Sequence, residues 1–258
     1  MLVLHVWRIM EEKELSGFLL INKPLTKSSF WCVKAIRYIF GRKVRVGHAG
    51  TLDPYATGLL IIAVGRPATR RIDELSGLAK EYVAEGKLGQ MTDSLDVEGE
   101  VVQTCDSAHV TQKSMQDAIS TLGSSYIQVP PIYSALKCGG LPLYELARQQ
   151  YVTHQELHHL VQKKSRKVLL HAVDLLSFKE PFFRIKARVS HGTYIRSLVR
   201  DIVERVDCCA TMTALERIAI GPFSINDAVD ITACDLKGNL EKHLISVDDF
   251  FTTITNLG

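Results

Sequence analysis

One carboxylate in a stiff, turn-rich segment is the group in this sequence best placed to do chemistry. Three glycines and one proline fall within residues 47–58, between two apolar runs. Asp53 directly precedes Pro54, and a residue before proline is shifted towards extended backbone and away from helix. We therefore expect the Asp53 carboxylate to project from a rigid loop between two strands. The spacing does not say what this carboxylate does: an Asp-Pro turn can be purely structural, and His48, five residues earlier, can be an ordinary hydrogen-bonded side chain.

Charge is segregated along the chain around this loop. Residues 34–71 contain eight Lys or Arg and a single acid, Asp53, which gives a net charge of +7. Residues 72–109 carry a net charge of −7 and residues 163–205 again +7, although the whole chain has only +3. Basic blocks of this kind are typical of a surface that binds a polyanion. They can equally be solvated faces that cancel in the folded protein, and composition alone does not decide between the two interpretations.

Several other kinds of site are disfavoured by the sequence. It lacks a phosphate-binding loop, a nucleophile elbow, an HExxH motif and a dinucleotide-binding fingerprint. The six cysteines form no CxxC pair, so we expect small buried side chains in a reducing cytosol rather than a zinc site. His154, His158 and His159 lie near Glu156, but no cysteine or carboxylate cluster completes a metal site, so an exposed helix face is the better interpretation. We predict neither a metal nor a cofactor.

The elements that must hold the Asp53 loop follow from the periodicity of the apolar residues. Gly17 to Asn22 predicts a buried strand, and Ser28 or Ser29 caps a helix that Gly41 ends. Residues 90–99 are predicted as a polar loop. Strands and helices mix without regular βαβ alternation, which favours an α+β fold with a mostly antiparallel sheet. Further strands are predicted at 42–46, 59–64, 80–88, 100–104, 167–178 and 182–189, and helices at 67–75, 111–122, 143–150, 154–163 and 192–206.

Length and composition are those of an ordinary globular protein. The 258 residues, of which 46% are hydrophobic and 23% charged, can bury a full core. No apolar run approaches the roughly 18 residues that a membrane span needs. Residues 1–14 lack the basic start and small-residue cleavage site of a signal peptide, and we expect them to be a dispensable N-terminal extension or the result of a start codon assigned too early. We expect a cytoplasmic protein that makes no contact with a membrane.

The loop GHAGTLDPYATGLL, residues 47–60, resembles the catalytic loop of TruB-type pseudouridine synthases, which is usually close to GHTGSLDPxATGVL. The likeness continues in the order that the family has, and it spans roughly residues 17 to 223. It includes the tripeptide at 80–82, the segment QMTDSLDVEG at 90–99 and the segment HGTYIR at 191–196. The other similar segments lie at 18–24, 129–137, 143–148 and 221–223.

This resemblance implies an isomerase that converts one uridine of the tRNA T loop, at position 55, to pseudouridine without metal or cofactor. It implies the pseudouridine synthase fold, which is α+β with a mixed, mostly antiparallel sheet, flanking helices and a central catalytic cleft. The partner is the T stem-loop of tRNA, and we expect a monomer that needs no obligate protein partner. By motif match Asp53 takes the place of the essential aspartate, Tyr82 that of the tyrosine that stacks on the base, and Arg196 that of the arginine that pairs with the aspartate. Four further matches fall near the substrate: His48, Lys23, Lys137 and Tyr194.

These implied roles have a physical logic. A uridine inside a folded loop hides its glycosidic bond, so it must be flipped out at a cost of a few kcal/mol. Stacking on Tyr82 would return about 1–3 kcal/mol. An ionised Asp53 can hold the nucleotide covalently, either at C1′ of the ribose or at C6 of the base, and the sequence does not choose between these. A guanidinium beside the carboxylate favours its charged form and fixes its orientation. From the residues alone, Arg196 could also be a surface charge on an amphipathic helix.

The sequence departs from the family pattern in places. Ala49 replaces the usual Thr, Asn22 the usual Asp, His191 the usual Lys, and Glu216 the usual Arg. We expect the RNA-binding PUA domain that is common at the carboxyl end of the family to be missing. We expect a catalytic domain at 15–225 and a short acidic segment at 226–258, so that RNA affinity depends on the catalytic domain alone.

Two alternative functions compete with this interpretation. One is the archaeal and eukaryotic relative that a small RNA guides to its target, against which the bacterial-like segment at 90–99 argues. The other is a catalytically idle protein that binds or folds RNA on the same scaffold. The presence of Asp53, Tyr82 and Arg196 argues against that idle protein, although a fold by itself would not.

Overall fold

The computed structural model describes residues 15–148, 152–232 and 240–256. The chain divides into two compact units, one of Met1–Leu78 with Arg217–Gly258 and one of Ala79–Glu216. The strands are β1 (Gly17–Lys23), β2 (Val46–Ala49), β3 (Thr57–Val64), β4 (Lys80–Leu88), β5 (Gln90–Thr92), β6 (Val101–Thr104), β7 (Ser125–Gln128), β8 (Lys137–Cys138), β9 (Leu141–Pro142), β10 (Arg166–Lys179), β11 (Phe182–Val189), β12 (Ala210–Ile220), β13 (Phe223–Ser224) and β14 (Val229–Asp230). The helices are α1 (Ser29–Phe40), α2 (Gly65–Thr69), α3 (Gln112–Ser120), α4 (Leu143–Arg148), α5 (His154–Gln162), α6 (Ile195–Val203) and α7 (Val247–Thr255).

The first unit is built on strands β1 and β3, which pair in antiparallel register from Gly17 opposite Val64 to Lys23 opposite Gly58. Strand β2 also pairs with β3, and β14 lies parallel to β1, so the sheet of this unit is mixed. Both central strands are almost continuously apolar because both faces of their sheet are covered. Side chains at alternate positions therefore enter two different cores.

Helix α1 covers one face of these strands and helix α7 the other. The Ser28 hydroxyl caps α1 by accepting a hydrogen bond from the Trp31 N–H, and Gly41, with a φ of 110°, ends the helix. Its buried side chains join those of Leu19 and Leu60 in one core. Phe250 of α7 enters the other core.

The Phe250 ring stacks 4.1 Å from that of Phe18 and 4.2 Å from that of Phe223. Residues of the predicted acidic segment 226–258 thus help to form the core of the first unit. The proposed division of the chain at residues 15 and 225 stays a prediction.

The second unit contains strands in the order β12-β4-β11-β10-β7. Strands β4 and β11 pair antiparallel from Lys80 opposite Val189 to Lys87 opposite Phe182, and β10 pairs antiparallel with both β11 and β7. Strands β5 and β6 form a separate antiparallel hairpin. Helices α4 and α5 share a small core of their own, which is formed by Ile132, Leu143, Leu157 and Val161.

The predicted α+β fold with a mixed, mostly antiparallel sheet is confirmed, and most predicted elements lie within a few residues of their expected bounds. The prediction of a strand at 42–46 is wrong, because strand β2 begins only at Val46. The prediction of a polar loop at 90–99 is wrong for its first three residues, which form strand β5. Helix α6 begins at Ile195 rather than near Gly192. No described helix is long and apolar enough to cross a membrane.

Strand β12 was not predicted at all. It is eleven residues long, and it contains Ala, Leu, Glu and Arg, residues that favour helix over strand. Burial overrides these propensities, because Met212, Leu215, Arg217 and Ile220 are all buried. Local preference therefore gave no strand signal at the element that connects the two units along the chain.

Candidate active site

Asp53 lies in the loop between β2 and β3, where its side chain is half-buried. The Asp53 carbonyl accepts a hydrogen bond from the Ala56 N–H at 3.1 Å, which closes a tight turn around Pro54. The neighbouring side chains of Leu52 and Tyr55 are buried. The loop is therefore packed on both sides of the aspartate, whereas Asp53 itself is only half-buried.

Ser29 anchors the residue before Asp53. Its hydroxyl accepts a hydrogen bond from the Leu52 N–H at 2.8 Å and lies 3.2 Å from the Leu52 carbonyl oxygen, to which it donates. Ser29 is the first residue of α1 and is buried. The sequence marked this serine as a candidate helix cap and as part of the family likeness, and its contact with the Asp53 loop is a finding of the structure.

Lys23 supports the residue after Asp53 from within the protein. Its side chain is fully buried, and its ammonium donates hydrogen bonds to the carbonyl oxygens of Pro54 at 3.2 Å, Pro24 at 3.0 Å and Lys27 at 2.5 Å. A buried ammonium is tolerated where several oxygens surround it. Lys23 thus holds the turn, and its predicted place near the substrate stays a prediction.

Arg217 fixes the two ends of the loop. Its Nε donates to the Leu59 carbonyl at 2.8 Å and its Nη2 to the Gly50 carbonyl at 3.1 Å, although its side chain is only 1% exposed. Gly58 has a φ of 107°, and a Cβ atom there would lie 2.3 Å from the Arg217 carbonyl oxygen. Only glycine fits this position, because both the backbone conformation and the close approach exclude a side chain.

His48 lies on β2, at the start of the same glycine-rich segment, and is half-buried. Burial, and after it the positive charge of Arg217, lower the pKa of His48 below its ordinary value. The imidazole is therefore neutral near pH 7. Within the described part of the chain its buried Nδ1 has no hydrogen-bond partner.

Arg196 is the second residue of α6 and is buried in the second unit. Its Nη1 donates to Asp96 Oδ2 at 3.1 Å and to the Ser94 carbonyl at 2.9 Å, and its Nη2 donates to the Tyr133 carbonyl at 2.9 Å. This side chain is not the exposed charge that an amphipathic helix alone would allow. Its predicted pairing with Asp53 stays a prediction.

Asp96 is the residue of this network that the sequence did not single out. Its Oδ1 accepts hydrogen bonds from the Ser94 hydroxyl at 2.6 Å and from the Glu98 N–H at 2.9 Å, while Oδ2 faces Arg196. The signal was present in the segment QMTDSLDVEG, whose closely spaced acids were visible, but only the fold shows which of them is buried. Asp96 is 2% exposed.

The other predicted residues of the second unit lie on separate elements. Tyr82 is a half-buried residue of β4, against which α6 packs. Tyr194 is the residue before α6, where its backbone N–H donates to Gln128 Oε1 at 2.8 Å and the Arg166 guanidinium lies 5.2 Å from its ring centre. Lys137 is exposed on the short hairpin of β8 and β9.

The structure thus groups the predicted residues by unit. Lys23 and His48 belong with the Asp53 loop in the first unit, and Tyr194 and Arg196 are close in the second. No three His, Cys, Asp or Glu side chains among residues 15–148, 152–232 and 240–256 form a group that could hold a metal ion.

Comparison with known proteins agrees with these motifs. A family model described as TruB family pseudouridylate synthase (N terminal domain) matches residues 37–195. The chain is 40% identical over 222 residues to the tRNA pseudouridine synthase B of Syntrophotalea carbinolica, covering 86% of this chain and 69% of that protein. It is also 40% identical over 246 residues to the tRNA pseudouridine synthase B of Clostridium perfringens strain SM101, covering 93% of this chain and 80% of that protein.

A solved structure supports the fold. A chain in the crystal structure of a Cbf5-Nop10-Gar1 complex is similar with a TM-score of 0.61 and 25% identity; the match covers 84% of this chain and 52%, about half, of that one. The family model includes the loop of Asp53 and the strand of Tyr82, and the relatives cover most of the chain. The predicted family is therefore confirmed: this chain belongs to the TruB family of pseudouridylate synthases.

Proposed function

We propose that this chain converts a uridine of tRNA to pseudouridine, at position 55 in the T loop, with Asp53 as the catalytic carboxylate. The observation that carries the proposal is the construction of the Asp53 loop. Ser29, Lys23 and Arg217 hold it through hydrogen bonds from buried side chains, while Asp53 itself is only half-buried. A group fixed in this way is prepared to attack a substrate without reorganising.

The substrate is recognised in two steps. The basic block at 34–71 attracts the phosphates of the T stem-loop, as expected for RNA that is recognised by backbone and shape. The target uridine then leaves its stack, at a cost of a few kcal/mol, and its base stacks on Tyr82. Such stacking offsets about 1–3 kcal/mol of that cost.

The reaction moves the ribose from one atom of the base to another. The Asp53 carboxylate adds to C1′ of the ribose or to C6 of the base, and the bond between C1′ and N1 breaks. The uracil turns, C5 bonds to C1′, and the carboxylate is released. C5 then loses its proton, and N1, which no longer holds the ribose, takes one up, so the product is an isomer of uridine. Tyr82 lies on the strand beside α6 and is the candidate to move that proton.

Charged and neutral side chains have different tasks in this mechanism. Arg196 pairs with the Asp53 carboxylate and fixes its orientation. The neutral His48 gives a hydrogen bond to the flipped nucleotide through a ring nitrogen. Lys137 and Tyr194 contact the RNA around the target base. We further propose that the chain acts in the cytoplasm as a monomer, without a protein partner.

Tritium release tests the proposal. Uridine labelled with tritium at C5 is incorporated into a tRNA transcript, and the purified chain alone is added. We expect release by the wild type, none by Asp53→Asn, and full release by the control Asp73→Asn, which changes an exposed acid of the same unit. A transcript with cytidine at position 55 should release no tritium with any of them.

Three outcomes would overturn parts of the proposal. Equal release by wild type and Asp53→Asn would remove Asp53 from its role. Tight tRNA binding without release by the wild type would favour a protein that only binds or folds RNA. Release that appears only after a cell extract is added would contradict action without a partner.

A further inference from the structure

Three cysteines of the second unit meet at one point. Cys105 directly follows β6, and Cys208 and Cys209 directly precede β12. The sulfur atoms of Cys105 and Cys208 are 3.4 Å apart, and the Cys209 N–H donates to the Cys105 sulfur at 3.0 Å. Cys105 and Cys208 are 103 positions apart in the sequence, so their contact exists only in the folded chain.

The three thiols are not equivalent. Burial works to raise the pKa of Cys105, but hydrogen bonds with Cys209 and Cys208 outweigh it and leave this pKa below its ordinary value. Burial and the contact with Cys105 raise the pKa of Cys208 to about 11, and the same two causes raise that of Cys209 to about 12. Cys105 is also the most accessible of the three, being half-buried, whereas the other two are buried. The cluster therefore contains one reactive sulfur beside a thiol that keeps its proton.

We propose that Cys105 and Cys208 form a modification site at which a hydroperoxide oxidises the pair to an intramolecular disulfide. The Cys105 thiolate attacks the outer oxygen of the hydroperoxide, the O–O bond breaks, and an alcohol or water leaves, which gives a sulfenic acid on Cys105. The Cys208 thiol then loses its proton, its sulfur attacks the Cys105 sulfur, and water leaves as the S–S bond forms. Two thiols are oxidised and one hydroperoxide is reduced.

Backbone hydrogen bonds hold the two chain segments that carry these cysteines next to each other. The Cys105 N–H donates to the Gly89 carbonyl at 3.0 Å, and the Gly89 N–H donates to the Cys209 carbonyl at 2.9 Å. Gly89 thus holds both chain segments side by side. A disulfide is about 2.05 Å long, so the two sulfurs, which are 3.4 Å apart, must still move closer for the bond to form.

The bond would tie the hairpin of β5 and β6 to the start of β12. The loop between β5 and β6 contains Asp96, and the Met212 N–H of β12 donates to the carbonyl of Leu95 in that loop at 3.1 Å. We therefore expect oxidation to slow local opening of residues 90–105, which amide hydrogen exchange measures. This effect is independent of the proposed isomerase activity, because the site and its readout involve no RNA.

Peptide mapping after oxidation tests the proposal. The reduced full chain is titrated with hydrogen peroxide, free thiols are blocked with iodoacetamide, and tryptic peptides are analysed without reduction. We expect a cross-linked pair in which Cys105 is joined to Cys208 and Cys209 carries the iodoacetamide label, lighter by two hydrogens than the same peptides without the bond and separated by dithiothreitol. Cys208 and Cys209 are adjacent and share one tryptic peptide, so fragmentation between them shows which of the two forms the bond. Cys209→Ser should keep this cross-link, and Cys208→Ser should instead accumulate a Cys105 sulfenic acid that dimedone traps.

The matched control is Cys138, which is also half-buried but lies outside the cluster. We expect iodoacetamide labelling of Cys105 to disappear at a peroxide dose at least about tenfold below the dose that affects Cys138. A cross-link that maps to Cys209, or oxidation of Cys138 before Cys105, would overturn the assignment. The wild-type map decides these points even if a variant fails to fold.

Discussion

Arg196 and Asp96 form an ion pair inside the second unit, with 3.1 Å between Nη1 and Oδ2 and almost no solvent exposure of either side chain. The guanidinium of Arg196 also donates hydrogen bonds to two backbone carbonyls. The carboxylate of Asp96 also accepts hydrogen bonds from one hydroxyl and one backbone N–H. A buried ion pair gains little net stability over apolar packing, but it fixes geometry. Arg196, which the motif assigns to the active site, is therefore held in a fixed orientation by residues of its own unit.

Replacing Asp96 by Asn should damage both stability and activity. The guanidinium would be left buried with its charge uncompensated, which costs about 3–5 kcal/mol. Misplacement of Arg196 should lower kcat about 100-fold. Urea unfolding and tritium release measure the two effects. Glu100→Gln, a change of an exposed acid next to β6, is the control, and equal behaviour of the two variants would refute this account.

Gly58→Ala should destabilise the first unit by about 3 kcal/mol or more, because its φ of 107° and the nearby Arg217 backbone leave no room for a Cβ atom. Gly77→Ala is the matched control in the same unit, since nothing lies within 4 Å of its Cβ position. Chemical denaturation compares the two. A Gly58→Ala protein as stable as the Gly77→Ala protein would show that the loop ends are not held as described.

The stability of the protein should fall as the pH drops below about 6.5, the ordinary pKa of histidine. The pKa of His48 is lowered in the folded state, so the unfolded chain takes up a proton first and unfolding becomes easier. His48→Gln should make the unfolding free energy less dependent on pH between 5 and 8. His191, whose pKa burial also lowers, should leave a residual slope. An unchanged slope in His48→Gln would contradict the assigned shift.

Binding of tRNA should weaken steeply with salt. If about five phosphates are neutralised, the plot of log affinity against log salt should have a slope of about −3.5 to −4.5. Lys34→Gln and Arg42→Gln change exposed residues of the basic block. Each should remove one phosphate contact and so make the slope shallower by about 0.7 to 0.9. Lys242→Gln, an exposed lysine of the acidic segment, should leave it unchanged. Affinity that is independent of salt would show that the basic block is not the RNA surface.

The order of motifs determined the family, and local patterns determined most elements near the site. The sequence could predict strand β1, strand β4 and helix α1 with its Ser28 cap. The spacing of apolar residues, the capping residue and the glycine that ends the helix are signals that extend over only a few residues. The Asp53 turn could be predicted because proline restricts the residue before it.

Only the tertiary structure decided which side chains hold the Asp53 loop and Arg196 in place. Ser29, Arg217 and Asp96 gain their roles from partners that are 23, 158 and 100 residues away, and a local pattern carries no trace of such partners. The same holds for Cys105 and Cys208, which the sequence presents as ordinary cysteines. Strand β12 was missed because burial, which depends on the whole chain, outweighed the helical preference of its residues.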